Sequence, residues 1–365
     1  MAIDFGRKLF WESPVNAMHD ESTPNPHEEP GEDSAKQQLS AVIRWFIDTR
    51  LDQEHGPRAV PFFCDPERIG AFAVSPGALR DGTAPVLFQL FISLSMYQAL
   101  RDVAIMRQQR SLSRNAMSVV ADLDFVTRSI VRHHCPWLGS AQAFERGCQV
   151  SKLGGEIDCN TYPGIPCHVK EATKVFHRMG DMGKLPTSAW LRIWQEGGLK
   201  RILAEVNQET TSPTQRAMLL VEHFRKVHRV GRKLATMFVS ALSTPVLYPG
   251  LTPWFPWIDG NELVVIDTNV ARAIDLLRPT SAPKSYSSRE NWLCFQAARL
   301  DLSDFHPGLP NYSPRLVQQA LYAFCSKSNR VARQDACART PLACDCCARR
   351  LCPFVKVPIE GSDET

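Results

Sequence analysis

The stretch HRVGRKLATMFVSALS, residues 228–243, decides how this chain is read. It opens on a short basic turn containing Gly231 and runs directly into apolar residues spaced by three and four. That spacing predicts a helix with Lys233 in its first turn. Just upstream, SPTQRAMLLVEHFRKV (212–227) repeats the helical pattern, so two helices are expected on either side of the turn. Arg225, Lys226, Arg229 and Arg232 place four cations within eight residues. The N–H groups that open the second helix suit one phosphate.

Downstream, TPVLYPGLTPWFPWIDG (244–260) is a loop rich in proline and aromatic residues. Its Tyr248, Trp254, Phe255 and Trp257 are suited either to closing a core or to stacking on a flat ligand. NELVVIDTNVARAIDLL (261–277) then places a short apolar run before an Asp-Thr helix start, where Asp267 suits an N-cap. SPRLVQQALYAFCSK (313–327) predicts another helix. After it comes CARTPLACDCCARRLC (337–352), which holds five of the chain's twelve cysteines. The spacing is Cys337-x6-Cys344-x2-Cys347-x4-Cys352, with Cys346 spare. Four thiolates suit a tetrahedral zinc ion or an iron–sulfur cube, and the spacing leaves both open. Arg315, Lys327, Arg330, Arg333, Arg339, Arg349 and Arg350 surround the run. Those cations can meet phosphates or offset the charge of a thiolate cluster.

The remaining chain supports a helical domain. APVLFQLFISLSMYQAL (84–100) predicts a core helix: Gln89, Ser93 and Ser95 interrupt it too often for a membrane span. The pattern continues to residue 134. Residues 135–170 break it with glycine, proline and four cysteines, Cys135, Cys148, Cys159 and Cys167. These, with His133, His134 and His168 nearby, are a candidate second metal site or a set of buried thiols. The chain has 365 residues, is 44% hydrophobic and carries a net charge of +4. Residues 1–40 hold eight acidic and three basic side chains, which leaves the remainder near +9 and open to a polyanion. The N-terminus has no basic stretch followed by an apolar run, so no secretory signal is expected and the cysteines read as ligands or buried thiols, not a disulfide framework.

Three segments taken in order carry a resemblance. VHRVGRKLA (227–235), VIDTNVARA (265–273) and the cysteine run together resemble the endonuclease III-like branch of the helix-hairpin-helix DNA glycosylases. That branch has a Leu-Pro-Gly-Val-Gly-Arg-Lys type hairpin, a Val-Asp-Thr-His type helix start and a Cys-x6-Cys-x2-Cys-x5-Cys loop. The resemblance spans roughly 84–134 and 210–352. It implies a mainly α, two-lobed helix-hairpin-helix glycosylase fold with a C-terminal [4Fe–4S] loop and extra insertions. Lys233 matches the catalytic lysine and Asp267 the catalytic aspartate. Val230, Gly231 and Arg232 match the hairpin end. Cys337, Cys344, Cys347 and Cys352 match the cluster ligands. FQLFISLSMYQALRD (88–102) looks like the early helix whose glutamine faces an extruded nucleotide, which makes Gln98 the candidate, with Asp102 following. His228 and Arg229 stand where the family has Pro-Gly, and the last cysteine gap is one residue shorter.

The implied organisation is a flexible acidic segment (1–36) and a helical region (37–218) with the cysteine-rich insertion near 135–170. The hairpin and aspartate region (219–312) carries the aromatic insertion 244–260. A helix with the cluster loop (313–352) and a tail (353–365) complete it. The implied activity is excision of a damaged or mismatched base from duplex DNA, with strand cleavage at the abasic site. The target base must leave the stack before its glycosidic carbon can be reached. A carboxylate, Asp267, steadies positive charge on the sugar. A free amine at Lys233, favoured by partial burial and a helix N-terminus, attacks the anomeric carbon. The alternatives are a glycosylase whose Lys233 only positions a phosphate, or a non-catalytic DNA-binding protein on the same scaffold. Either way a monomer is expected beside DNA: cytoplasmic and nucleoid-associated, or nuclear in a eukaryote.

Overall fold

The structure, a computed structural model, describes residues 32–51, 60–133, 135–153, 156–176, 181–335 and 348–354. The chain is mainly helical. Helix α1 (Glu32–Phe46) begins inside the segment read as flexible. Asp33 favours its N-terminus, and Ala35 and Leu39 are buried against later helices. After short helical turns over 62–81 come α2 (Ala84–Ser95), α3 (Asp102–Ser111), α4 (Arg114–Ala121) and α5 (Leu123–Arg132). The cysteine-rich insertion follows as α6 (Ala141–Gly147), strands β1 (Val150–Leu153) and β2 (Glu156–Cys159), and α7 (His168–Phe176). Next are α8 (Leu185–Ala189), α9 (Gly198–Glu209), α10 (Pro213–Phe224) and α11 (Arg232–Ser243). The C-terminal helices are α12 (Thr268–Leu277), α13 (Tyr286–Ala298), α14 (Pro314–Cys325) and α15 (Lys327–Ala332).

Among the described residues β1 and β2 are the only strands, an antiparallel pair that sets Val150 opposite Cys159. Helix α2 is shorter than its composition predicts. It stops at Ser95, and the chain turns through Ala99 at φ 62° before α3. The buried Gln109 amide takes the Ser93 carbonyl at 2.9 Å, Ser93 Oγ at 3.1 Å and Met96 Sδ at 3.5 Å. The carbonyl of the last turn is thus held by a side chain from α3.

Two main hydrophobic cores divide the described chain. The first runs from Phe63 to Leu263 and surrounds α2, whose Leu87, Phe88, Leu90, Phe91, Ile92 and Leu94 are all buried. A helix apolar on every side has to be covered on every side. The rings of Phe91, Phe224 and Phe238 meet at centroid distances of 5.4, 5.1 and 4.7 Å, and each such ring contributes about 2–3 kcal/mol by burial. The second core joins α1 to residues 264–352. Leu39, Val42, Ile43 and Phe46 of α1 face Leu316, Val317, Ala320, Leu321 and Phe324 of α14, both at helical spacing. A small third core lies in the insertion. Among the described residues no helix is long and apolar enough to cross a membrane.

Candidate active site

Helices α10 and α11 flank the turn of 225–231, as the pattern of 228–243 predicts. Val227 and Val230 are buried, and the Val230 amide donates to the Val227 carbonyl at 3.0 Å, which closes the turn. Arg229 takes the left-handed backbone, φ 64°. Glycine adopts that region at no steric cost, whereas arginine is strained there. An ion-paired brace holds it: Arg229 Nε donates to Asp181 Oδ1 at 2.6 Å, and His228 Nε2 meets Oδ2 of the same carboxylate at 3.0 Å. Burial alone would raise Asp181, but the Arg229 hydrogen bond and the His228 and Arg229 charges hold its carboxyl below the usual range. The His228 amide donates to Ser188 Oγ at 2.9 Å, and Ser188 in turn donates to Glu145, which also accepts Arg192 Nε and Nη2. The hairpin therefore rests on α8 and on α6 of the cysteine-rich insertion.

Helix α11 has Gly231 as its N-cap, with no capping side chain, so its first N–H groups are open to an anion. The cations around it are engaged. Arg225 pairs with Glu222 at 3.0 Å and Arg229 with Asp181. Arg232 pairs with Glu290 at 2.7 Å and lies 5.3 Å over the Tyr286 ring. Lys226 is exposed. Val230 is buried, so it can meet a ligand only through its backbone.

Lys233 and Asp267 open into one cavity of about 600 Å³. Residues of both main cores line it, including Phe46 and Tyr322 from one and Phe63 and Leu94 from the other. Its wall also carries Phe62, Tyr97 and Tyr248, flat rings at the scale of a nucleobase. Lys233 Nζ donates to the Tyr97 carbonyl at 3.2 Å. Asp267 caps α12, with Oδ1 accepting the Val270 amide at 2.8 Å. Burial raises its carboxyl above the usual range; the Val270 amide and the Lys233 charge oppose that, and Asp102 adds to it.

The extended run before Asp267 is held by side chains. Tyr286 Oη accepts the Ile266 amide at 3.2 Å and donates to the Val264 carbonyl at 2.8 Å, while Gln318 Oε1 accepts the Val265 amide at 3.4 Å. Buried backbone groups with no sheet partner need such acceptors and donors. Asp102 at the start of α3 lines the same cavity and accepts the Tyr322 hydroxyl, which also accepts Asn329 Nδ2 at 2.9 Å. Burial and the Asp102 charge keep Tyr322 firmly protonated. Arg315 is buried in the cavity wall, where Nε donates to Ser240 Oγ at 2.6 Å.

Gln98 does not line the cavity. It lies in the bend after α2, where its amide donates to the Ser95 carbonyl at 2.6 Å. The aromatic insertion divides its residues. Trp254 is in the first core against Phe224 and Phe238, and Tyr248 lines the cavity with its ring 5.1 Å from Phe63. Trp257 lies under Arg216 at 5.2 Å, and Phe255 is exposed.

Of the expected cluster ligands, Cys337, Cys344 and Cys347 lie outside the described residues. Cys352 is buried, and Arg330 Nη1 approaches its sulfur at 3.7 Å. Arg330 is itself 1% exposed. It sits 4.9–5.0 Å from the rings of Trp45, Phe324 and Phe354 and pairs with Asp335 at 3.3 Å. A buried cation donating to a cysteine sulfur fits a site that gathers thiolate charge.

Tyr286, Gln318, Tyr322 and Asn329 were not legible as site residues. Gln318, Tyr322 and Asn329 reach the cavity from elements far along the chain, Tyr286 only braces the backbone that leads to Asp267, and none carries a motif of its own. Comparison with known proteins finds no family model, no curated protein and no solved structure that matches this chain.

Proposed function

We propose that this chain is a DNA glycosylase with associated AP-lyase activity, acting in base excision repair on duplex DNA that carries a modified, mismatched or abasic nucleotide. The observation that carries the reading is the meeting of Lys233 and Asp267, 34 positions apart in sequence, in one aromatic-walled cavity. Within the reading, the scaffold is the two-lobed helix-hairpin-helix fold. Cys337, Cys344, Cys347 and Cys352 hold a [4Fe–4S] cluster, and the chain works as a monomer in the cytoplasm at the nucleoid, or in the nucleus. A bound cluster serves to fasten its basic loop, and Arg330 beside Cys352 suits its charge.

An extruded nucleotide enters between the two cores and stacks on the Tyr97, Tyr248 and Phe62 side of the cavity. The Asp267 carboxylate faces the sugar and stabilises the positive charge that grows there as the glycosidic bond lengthens. The bond breaks with its electron pair on the base. Lys233 Nζ passes a proton to the departing base and adds to the anomeric carbon; the bond from that carbon to the ring oxygen then opens, and a Schiff base remains. Loss of a neighbouring sugar proton then expels the 3′ phosphate by β-elimination. The open N–H groups at the start of α11 and the exposed Lys226 hold a backbone phosphate nearby. Arg225 exchanges its exposed carboxylate partner for phosphate as the duplex docks, while Arg229 and Arg232 keep theirs and hold the turn in place.

The test is borohydride trapping on duplexes carrying oxidised, deaminated, mismatched and abasic sites. A covalent adduct that disappears in Lys233→Ala and in Asp267→Asn is expected. Absence of an adduct on every substrate, with protein that binds DNA, overturns the lyase assignment. The hydrogen bond from Lys233 Nζ to the Tyr97 carbonyl favours a second reading, a glycosylase that holds this lysine as a fixed ammonium. Base release preserved in Lys233→Ala selects that reading. Unchanged function in Asp267→Asn selects a non-catalytic DNA-binding protein.

A further inference from the structure

The cysteine-rich insertion is a second centre of unusual chemistry, away from the Lys233 cavity. Cys135 follows α5, Cys148 caps the end of α6, Cys159 ends β2 and Cys167 precedes α7. These four cysteines, separated in sequence by 12, 10 and 7 residues, line one pocket of about 40 Å³. All four are free thiols. The rest of the wall is mainly apolar, with Ile130, Trp137, Phe144 and Val150, and it includes no carboxylate. Calcium and magnesium require oxygen ligands, so they are excluded by the donor set. A soft, thiophilic ion is the ligand that this wall can serve.

Three independent observations point the same way. First, a backbone N–H is aimed at a sulfur. The Lys170 amide donates to Cys167 Sγ at 3.4 Å. Such donors stabilise a thiolate more than a thiol. Second, His133 Nδ1 is buried at the pocket without a hydrogen-bond partner, and so is Trp137 Nε1. Buried polar atoms left unmatched cost on the order of 1–3 kcal/mol each, so a pair at one pocket marks something absent. His168 is not part of this: it is buried with both ring nitrogens bonded, to Thr187 Oγ1 at 2.9 Å and the Val119 carbonyl at 2.7 Å. Third, the insertion's own core consists of Phe144, Cys148, Val150, Cys159 and Val169. That core is small even with the support of Ala172 and Phe176 in the first core, and small units of this kind are often fastened further by disulfides or a metal.

We propose that Cys135, Cys148, Cys159 and Cys167 close on one zinc ion that fastens the insertion. Among the described residues no three His, Cys, Asp or Glu side chains stand close enough together to hold an ion without moving. Closure therefore requires the thiol side chains to turn inward and lose their protons as the ion enters. His133 then has a metal-bound sulfur within its surroundings to hydrogen-bond, in the way outer partners orient ligands. The consequence reaches the hairpin, because Glu145 of α6 holds the Ser188 hydroxyl that caps the His228 amide. Zinc in the insertion steadies the turn that precedes Lys233. The inference does not depend on the glycosylase reading.

The experiment measures metals in the full chain, expressed in defined medium with iron and zinc and cleared of loosely bound ions. One equivalent of zinc per chain is expected. The Cys148→Ser/Cys167→Ser double variant loses that equivalent of zinc; the Cys337→Ser/Cys352→Ser variant keeps it. Differential alkylation of the wild-type chain, mapped by mass spectrometry, reads the same site without substitution. Its expected outcome is protection of the four thiols that ends when a zinc chelator is added. Zinc retained in the Cys148/Cys167 variant overturns the proposal. So does a disulfide found among the four, or alkylation at the same rate with and without chelator.

Discussion

Arg229 offers the sharpest test of the hairpin. Its backbone is left-handed and its side chain bonds Asp181 at 2.6 Å. The strain of that backbone region is about 1–2 kcal/mol for a residue with a Cβ. The Arg229 and Asp181 side chains are 52% and 35% exposed, so their ion pair contributes only about 0.5–1 kcal/mol. Arg229→Ala keeps the strain and loses the pair, and it destabilises by about 0.5–1 kcal/mol. Arg229→Gly loses the same pair and relieves the strain, less about 0.5–1 kcal/mol for the freer unfolded chain. The glycine variant is therefore expected to be more stable than the alanine variant by about 0.5–1 kcal/mol, the reverse of the usual order. Equilibrium urea denaturation compares the two. Hydrogen exchange at the Val230 amide, which closes the turn, reports the local opening directly. Alanine equal to or better than glycine in both measurements refutes the reasoning, since it means that the backbone at 229 is not held left-handed.

At Asp267, burial raises the folded-state carboxyl, so the folded chain binds that proton more tightly than the unfolded chain does. The ionised carboxylate thus costs stability at pH 7, and the cost disappears as pH falls through the raised value toward about 3.9. Asp267→Asn, which can still cap α12, should raise Tm at pH 7, raise it less at low pH, and abolish base release; a lower Tm at pH 7 contradicts this. Tyr286→Phe removes the hydroxyl from the Val264 carbonyl and the Ile266 amide, a loss of about 1–3 kcal/mol in denaturation, and lowers kcat with little change in KM. Arg330→Ala removes the more distant of two arginines on Asp335, Arg50 staying at 2.6 Å, and empties the ring cage around Arg330, which should cost about 2–3 kcal/mol by chemical denaturation and lower the iron content.

Much of the fold was legible because its signals are local. The apolar spacing of 232–243 and of 314–325 foretells α11 and α14, and Asp267 before Thr268 foretells the cap of α12. The early helix was overextended because apolar composition cannot register Gln109, whose amide takes the Ser93 carbonyl from another helix. The β1–β2 pair went unassigned although Gly154-Gly155 between two short runs is a hairpin signal in the sequence itself. The helical start at Glu32 was masked by acidic composition, since what orders it is burial against α14, over 250 positions away. Lys233 and Asp267 stood out by their motifs. The same kind of match points to Gln98, whose amide the structure sets on the Ser95 carbonyl in the bend after α2.

The arrangement of Lys233 and Asp267 follows from the residue beside the lysine. Lys233 reaches into the first core's side of the cavity, to the Tyr97 carbonyl. Arg232 reaches the other way, to Glu290 and over the ring of Tyr286 on α13. That same tyrosine holds the backbone on both sides of Val265, two residues before Asp267. One turn of helix is thereby gripped by both cores, and the lysine and the carboxylate are set in register through Tyr286. Burial at Glu290, which raises its carboxyl against the opposing Arg232 charge, makes this pair less exposed to solvent than the Arg229 brace. The two arginines of the hairpin thus divide the work. Arg229 shapes the turn against the insertion, and Arg232 ties the start of the lysine's helix to the chain that leads to the aspartate.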